Sequence, residues 1–344
     1  MDRVLCGAGV QILMYHGFTD GECGNDANNK YGTHLNIAKF AEQIAYLKKH
    51  YHIISLPEWV QFCKGKGRIP GQSVILTFDD GYESNYLMAF PVLKKYNVPA
   101  TIFVTTDFIE GHMFFLSNRL EFSIRNTPLP LLSTEIMGVS IRLNLKTSHD
   151  KDHAIGFIWQ AIKGFRHEDR IRAVSALEDI LQVHLTAQSA PAFWRPLNWA
   201  QCREMIQSGL VTIGCHTCSH PSLAHCDPLF IEEEVQISRA KIEKNTGSSC
   251  DLFCYPYGGK DDFNAQTKEI LMKLQYQAAL TTLSGSNQKN SQLMELRRLG
   301  TSNEHTLEDF KRLLLQSYRI LRKEYKQAYQ VYAHTRQALG ILPK

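Results

Sequence analysis

Short apolar, β-branched runs recur along this chain, separated by stretches with the three-to-four-residue spacing of amphipathic helices. Runs at 10–15, 73–78, 100–105, 211–215, 252–255, 277–281 and 296–299 predict strands, and a short strand is expected at 51–56. Between them, Asn36 is placed to cap a helix through Phe40, Ile44 and Leu47, and Pro57 to open another through Trp59 and Phe62. Residues 83–96 predict helical turns interrupted at Pro91, and further helices are expected near 199–207, 231–244 and 262–274. Strand–helix–strand alternation with short connections implies parallel strands joined by right-handed crossovers. The rhythm breaks from about 108 to 195, where a hairpin at 136–145 and helices at 151–164 and 167–184 read as an insertion beside a barrel, shaping its cleft. Residues 306–338 predict a basic, tyrosine-bearing terminal helix, so the organisation expected is 1–305 for the barrel and 306–344 for a basic helical extension.

Composition narrows the class only slightly. The 344 residues, 44% hydrophobic and 21% charged, suit a globular protein with a large core, and a net charge of +4 gives no reason to expect nucleic acid as partner. Nine cysteines at irregular spacing point to reduced thiols in place of a disulfide framework. Cys215 and Cys218 have zinc-ribbon spacing, but no second such pair accompanies them. No segment has the ~20 apolar residues that span a bilayer, and the start shows no signal-peptide pattern, so a cytoplasmic location is expected.

The chemistry-bearing positions cluster at strand ends. The run at 73–78 ends in Asp79-Asp80-Gly81, which by itself suits a turn as well as a site. The run ending at Cys215 delivers His216 and His220, four apart; on a continuing helical turn both imidazoles would share one face. One Asp with two His is a common donor set for an ion that keeps a position open for water. Both motifs close predicted parallel strands and therefore belong on the same rim, where α/β folds place their sites.

Thr77-Phe-Asp-Asp-Gly-Tyr82 together with His216-Thr-Cys-Ser-His-Pro221 resembles the polysaccharide deacetylase family (NodB-homology, carbohydrate esterase family four) over 10–107 and 196–300. The resemblance implies an α/β fold, a distorted (β/α)7 barrel, here with a helical insertion and a C-terminal helix. It implies metal-dependent removal of N-acetyl groups from an amino sugar, with Asp79 as base, Asp80, His216 and His220 as metal ligands, and the Tyr257 backbone N–H facing the oxyanion. Cys254 departs from the family pattern, standing where an arginine steadies the base. Tyr255-Pro-Tyr-Gly258 is similar to the branch acting on surface polysaccharide and poly-N-acetylglucosamine, in which that arginine comes from elsewhere; Arg298 (or Arg297) is the candidate. In the same branch Tyr15-His16 matches the pattern that supplies the general acid, making His16 that candidate. His34, His112 and His225 have no matching position and read as surface residues.

Zn²⁺ is the expected ion, with Co²⁺, Ni²⁺ or Fe²⁺ fitting the same ligands. The expected partner is an N-acetylated saccharide in a surface polysaccharide or its precursor. A peripheral membrane contact through the terminal helix is a further reading, and the oligomeric state is open. Trp194, Trp199, Phe114 and Phe115 are expected in the core, with sugar stacking as the other reading. Rival functions are a same-fold hydrolase of another C–N bond and a non-catalytic glycan-binding member.

Overall fold

A computed structural model describes residues 9–21, 29 and 33–315. In chain order the strands are β1 (Val10–Tyr15), β2 (Gly17–Thr19), β3 (His34–Asn36), β4 (His52–Ile53), β5 (Ser73–Phe78), β6 (Ala100–Val104), β7 (Leu131–Ile136), β8 (Val139–Asn144), β9 (Val211–Cys215), β10 (Leu252–Cys254), β11 (Ala278–Ser284) and β12 (Leu296–Gly300). The helices are α1 (Ile37–His50), α2 (Leu56–Cys63), α3 (Phe90–Tyr96), α4 (Thr106–Ile109), α5 (Leu116–Asn126), α6 (Ser148–Ile162), α7 (His167–Leu181), α8 (Trp199–Gln207), α9 (Pro228–Thr246) and α10 (Ala265–Lys273).

Seven strands form a parallel ring in the order β1-β12-β11-β10-β9-β6-β5, and β5 pairs back onto β1 over six residues from Val10↔Ser73 to Tyr15↔Phe78. The barrel is closed, as the seven-stranded expectation requires. β4 lies outside the ring, pairing only with the first residues of β5. Both faces of each barrel strand are covered, which is why the strands read as unbroken apolar runs.

Alternation along the strands sorts the side chains into two layers. Ile12, Ile75, Phe103, Leu252, Cys254, Ala278, Leu280 and Leu296 form the cluster inside the barrel, closed below by Leu56, Trp59 and Val60 of α2. Leu13, Leu76, Phe78, Ile102, Val104, Ile213, Cys215, Phe253 and Leu299 face outward into the main core beneath the helices. Continuing the inward parity to the carboxyl ends of the strands gives His16, Asp79, His216 and Arg298. The candidate residues are thus the polar top layer of the barrel filling.

Local signals set most helix ends. Asn36 caps α1 by accepting from Ala38 and Lys39 N–H, and Ser55 with Glu58 forms a reciprocal capping box on α2. Pro91 does not break its helix. It sits in the first turn of α3, and a π-helical turn (Asn85–Ala89) runs directly into it, accommodating the missing proline N–H. The strand expected at 51–56 shrinks to His52–Ile53, because the capping box commits Ser55 onward to α2. The hairpin begins earlier than expected: β7 starts at Leu131, and its two-residue turn is Met137-Gly138, both at positive φ.

Within 108–195, α5, α6, α7 and the β7–β8 hairpin enclose a core of their own, including Leu120, Ile124, Ile155, Ile158, Val174 and Leu177. After β12, residues 307–315 are helical. Phe310 and Leu314 enter the main core, and Gln11 Nε2 donates to the Leu314 carbonyl at 2.7 Å. The rest of the expected terminal helix lies outside the described residues.

Gly214 of β9 meets Phe103 inside the barrel, where an added Cβ would approach the ring to 2.5 Å and the Leu252 carbonyl to 3.1 Å. Gly214→Ala should therefore destabilise the protein by about 1–3 kcal/mol through overpacking. Adding Phe103→Leu should cost less than the sum of the two single changes, as measured by urea unfolding.

Candidate active site

Asp79 is 2% exposed, and Arg298 grips it with two parallel bonds, Nη1 to Oδ1 at 2.8 Å and Nη2 to Oδ2 at 2.6 Å. The guanidinium is itself buried and fully engaged. Its Nε donates to the Thr281 carbonyl at 2.8 Å, Nη1 also reaches Thr77 Oγ1 at 3.2 Å, and Nη2 reaches Cys254 Sγ at 3.1 Å. Burial alone would raise the Asp79 pKa, but the charge and hydrogen bonds of Arg298, with His16 and His216 nearby, hold it well below the usual carboxylate range. Arg298 therefore takes the place beside Asp79, and small Cys254 leaves it room; neighbouring Arg297 is exposed.

Asp80 turns the other way, at φ 77 in the left-handed region. Its Oδ1 lies 3.5 Å from Nε2 of both His216 and His220. The ligand atoms of these three residues all lie within 4.8 Å of one another. The far nitrogen of His216, Nδ1, is 2.7 Å from the Cys254 carbonyl, which fixes the ring and turns Nε2 toward Asp80. Burial first, then repulsion by His216, pushes the His220 pKa down to about 3, leaving a neutral imidazole suited to an ion. Two ligand atoms at about 2.0–2.1 Å from one tetrahedral ion lie roughly 3.4 Å apart, close to the separations here. The three residues thus fit a divalent cation.

Among the described residues, two other groups of potential ligands do not. Asp79, His216 and Cys254 cluster closely, but a cation there would sit against the Arg298 guanidinium. In the other group, Asp107, Glu110 and His112, both carboxylates are claimed by Lys241, whose ammonium bridges Asp107 at 2.8 Å and Glu110 at 2.7 Å. All seven described cysteines are free thiols.

The helical turn expected to align His216 with His220 is absent. The chain leaves β9 in an irregular loop with Thr217 at φ 65 and His220 at φ 60, and the rings meet at 4.9 Å between centroids. Two left-handed residues turn the chain back within four positions, which a helix would do only with different backbone bonds. Thr217 Oγ1 accepts from His220 N–H at 3.0 Å and steadies this turn.

His16 stands at the rim with Nε2 3.9 Å from Asp79 Oδ2. Tyr257, at φ 60, lays its ring against His220 at 4.7 Å. These residues line a cleft of about 220 Å³ at the carboxyl end of the barrel, and the 108–195 insertion supplies another wall through Phe115, Ser117, Asn118, Glu121, Trp159 and Trp194. Of the four aromatics considered from sequence, Trp194 and Phe115 are buried and also line the cleft. Trp199 and Phe114 do not line it; both are partly buried against the main core, with Trp199 donating to Glu110.

His34 is a correction. Expected at the surface, it is fully buried, with Nε2 2.9 Å from the Phe193 carbonyl and its ring edge-on to Tyr82 at 4.6 Å. Beside it, Gly17 leaves the room the ring occupies; a Cβ there would lie 2.2 Å away. A histidine that opens a short strand after a stretch rich in Gly, Asn and Asp carries no sequence signal for this burial. Trp159 and the polar α5 residues were equally unannounced, although Ser117, Asn118 and Glu121 follow helical spacing on a face that would otherwise be apolar.

With the geometry in hand, the sequence profile described as polysaccharide deacetylase matches residues 66–279, more than half the chain. The chain belongs to the polysaccharide deacetylase family. Among relatives of this family, a poly-beta-1,6-N-acetyl-D-glucosamine N-deacetylase of Staphylococcus epidermidis is 42% identical over 83 residues, covering 24% of this chain and 28% of that protein. The matched stretch thus spans little more than a quarter of the relative. Among deacetylase structures, Streptococcus pyogenes deacetylase PplD in complex with acetate superposes with TM-score 0.58 at 22% identity, covering 90% of this chain and 98% of the other. IcaB from Ammonifex degensii superposes at 0.56 with 18% identity, covering 90% and 98%. At these identities the structures establish the shared fold.

Buried His34 generates a pH prediction. Burial, which outweighs its hydrogen bond to Phe193, pushes its pKa down to about 3. The unfolded chain therefore binds a proton that the native chain refuses, and stability should fall as pH drops below about 6.5 toward 3. Between about pH 6.5 and pH 5 the His34 contribution amounts to roughly 2 kcal/mol. Urea unfolding at the two pH values should show His34→Gln losing correspondingly less than wild type.

Proposed function

We propose that this chain is a divalent-metal-dependent hydrolase that removes N-acetyl groups from amino sugars of a surface polysaccharide or its precursor. The observation that carries the reading is the pairing, in one cleft, of the Asp80/His216/His220 donor set with a separate carboxylate, Asp79, held ionised by buried Arg298. Family membership and the partial match to poly-N-acetylglucosamine deacetylases support the substrate class.

Asp80, His216 and His220 would hold the ion, Zn²⁺ being the default for this donor set. When bound, a divalent cation supplies polarisation of the amide carbonyl and acidification of water. Asp79 takes the proton of the attacking water. Arg298 keeps that carboxylate ionised and aimed, so no proton from solvent has to leave it first. Charge developing on the carbonyl oxygen is met by the Tyr257 backbone N–H. His16, on the neighbouring strand end, delivers a proton to the departing amine. The aromatic and polar insertion wall restricts the cleft to a ring that can lie against Trp159, Trp194 and Phe115.

Among the described residues no helix is long and apolar enough to cross a membrane. The alternation of tyrosines with arginines and lysines through 306–338 supports a peripheral contact with an anionic membrane surface on the cytoplasmic side. Co-sedimentation with anionic vesicles that persists after truncation at Leu315 would rule this contact out.

The test of the activity measures bound metal by mass spectrometry and acetate release from N-acetylglucosamine oligomers on the same samples. Wild type should carry metal and release acetate, and Asp80→Ala should lose both. Asp79→Asn should keep the metal while its turnover falls about 10²–10⁴-fold. Wild type that binds metal but frees acetate from no amino sugar would overturn the substrate assignment; wild type that binds none of Zn²⁺, Co²⁺ or Ni²⁺ would overturn the site.

A further inference from the structure

The loop between His216 and His220 has no regular secondary structure, so each of its backbone groups needs a partner from elsewhere. The Thr217 carbonyl accepts from Thr106 N–H at 3.1 Å and from Ser238 Oγ at 3.0 Å, and the Cys218 carbonyl accepts from Asp107 N–H at 3.0 Å. Of the three N–H groups at 218–220, that of His220 is taken within the loop by Thr217 Oγ1. Both others go to one side chain, Glu234 on α9. Its Oε2 accepts from Cys218 N–H at 2.9 Å and from Ser219 N–H at 2.9 Å, while Oε1 accepts from Ser219 Oγ at 2.8 Å.

Glu234 is 7% exposed. A carboxylate on a helix is ordinarily solvated, and burying one is costly unless donors converge on it. Here three do, all from the two residues immediately before His220. The same Ser219 hydroxyl lies 3.3 Å from Nε2 of His167, at the start of α7 in the insertion. With its proton committed to Glu234, that hydroxyl can accept from the imidazole, so the insertion also leans on this point.

We infer that Glu234 is a positioning residue for the candidate metal site: its carboxylate clamps the Cys218–Ser219 peptides and thereby sets where His220 stands relative to His216 and Asp80. The inference rests on the reading of Asp80, His216 and His220 as metal ligands. Glu234 does not touch the cleft, and its effect passes through the loop backbone. A glutamine has nearly the same shape but presents an NH₂ where one carboxylate oxygen accepted, so it cannot receive all three donors. The left-handed loop would then relax, and His220 with it.

The test titrates wild type, Glu234→Gln and Ser219→Ala with Zn²⁺ in competition with a chromophoric chelator. It also records the visible absorption of each protein at saturating Co²⁺, with apo-protein thermal melts alongside. Glu234→Gln should bind Zn²⁺ about 10–100-fold more weakly than wild type, the range for loss of a group that orients a ligand. Its Co²⁺ bands should shift or lose intensity, a change in coordination geometry that reduced stability alone would not produce. Ser219→Ala removes only the hydroxyl bond and should show a smaller loss in the same direction, and it keeps the inference testable if Glu234→Gln fails to fold. Wild-type Zn²⁺ affinity and Co²⁺ spectrum in Glu234→Gln, or in Ser219→Ala should the former not fold, would overturn the inference while leaving the metal site intact. Wild type that binds neither ion would overturn both together.

Discussion

The structure depends on the closure of β1 onto β5. Six consecutive parallel pairings seal a ring of seven strands, and once the ring is sealed each strand must send alternate side chains into a space too narrow for water or for charge. Apolar residues fill that space from below up to Leu280 and Leu296. Where the strands end, the same inward parity delivers His16, Asp79, His216 and Arg298. Chemistry and core share one alternation, and a one-residue slip of β5 would turn Asp79 out beneath the helices.

Arg298 and Asp79 show what that constraint demands. A carboxylate at the top of a barrel interior has lost most of its water, and without a partner it would bind a proton instead of remaining an anion. The bidentate guanidinium keeps it ionised, and the guanidinium is in turn satisfied by the Thr281 carbonyl, Thr77 Oγ1 and Cys254 Sγ. The pair spans 219 positions of sequence. Cys254 belongs to the same arrangement, because its small side chain leaves the space that an arginine from β12 occupies.

Around this layer, the remaining parts hold the site's edges. The loop after β9 owes its shape to acceptors on α9 and donors at the start of α4, not to any helical propensity of its own. The insertion carries a separate apolar core and presents only its inner wall to the cleft. His34 ties the start of β3 to the insertion's end at Phe193, so the two sides of the cleft are pinned by one buried imidazole.

The sequence by itself determined the parallel α/β class, the strand that ends in Asp79-Asp80, the strand that delivers His216, and the pairing of these motifs on one rim. Each of these follows from unbroken apolar runs, from the helical spacing between them and from residue types at strand ends, which are local properties. It also pointed to Arg298 beside the site, though only through a family resemblance, since no local pattern separates Arg298 from Arg297. Only β12's place between β1 and β11 decides which of the two faces inward. Tertiary structure likewise decided that His216 and His220 meet through a left-handed loop held by Glu234, that His34 is buried, and that Trp159 and the α5 residues reach the site at all. These features depend on contacts between segments far apart in the chain, where burial and hydrogen-bond satisfaction outweigh local preference, and no spacing within a segment records them.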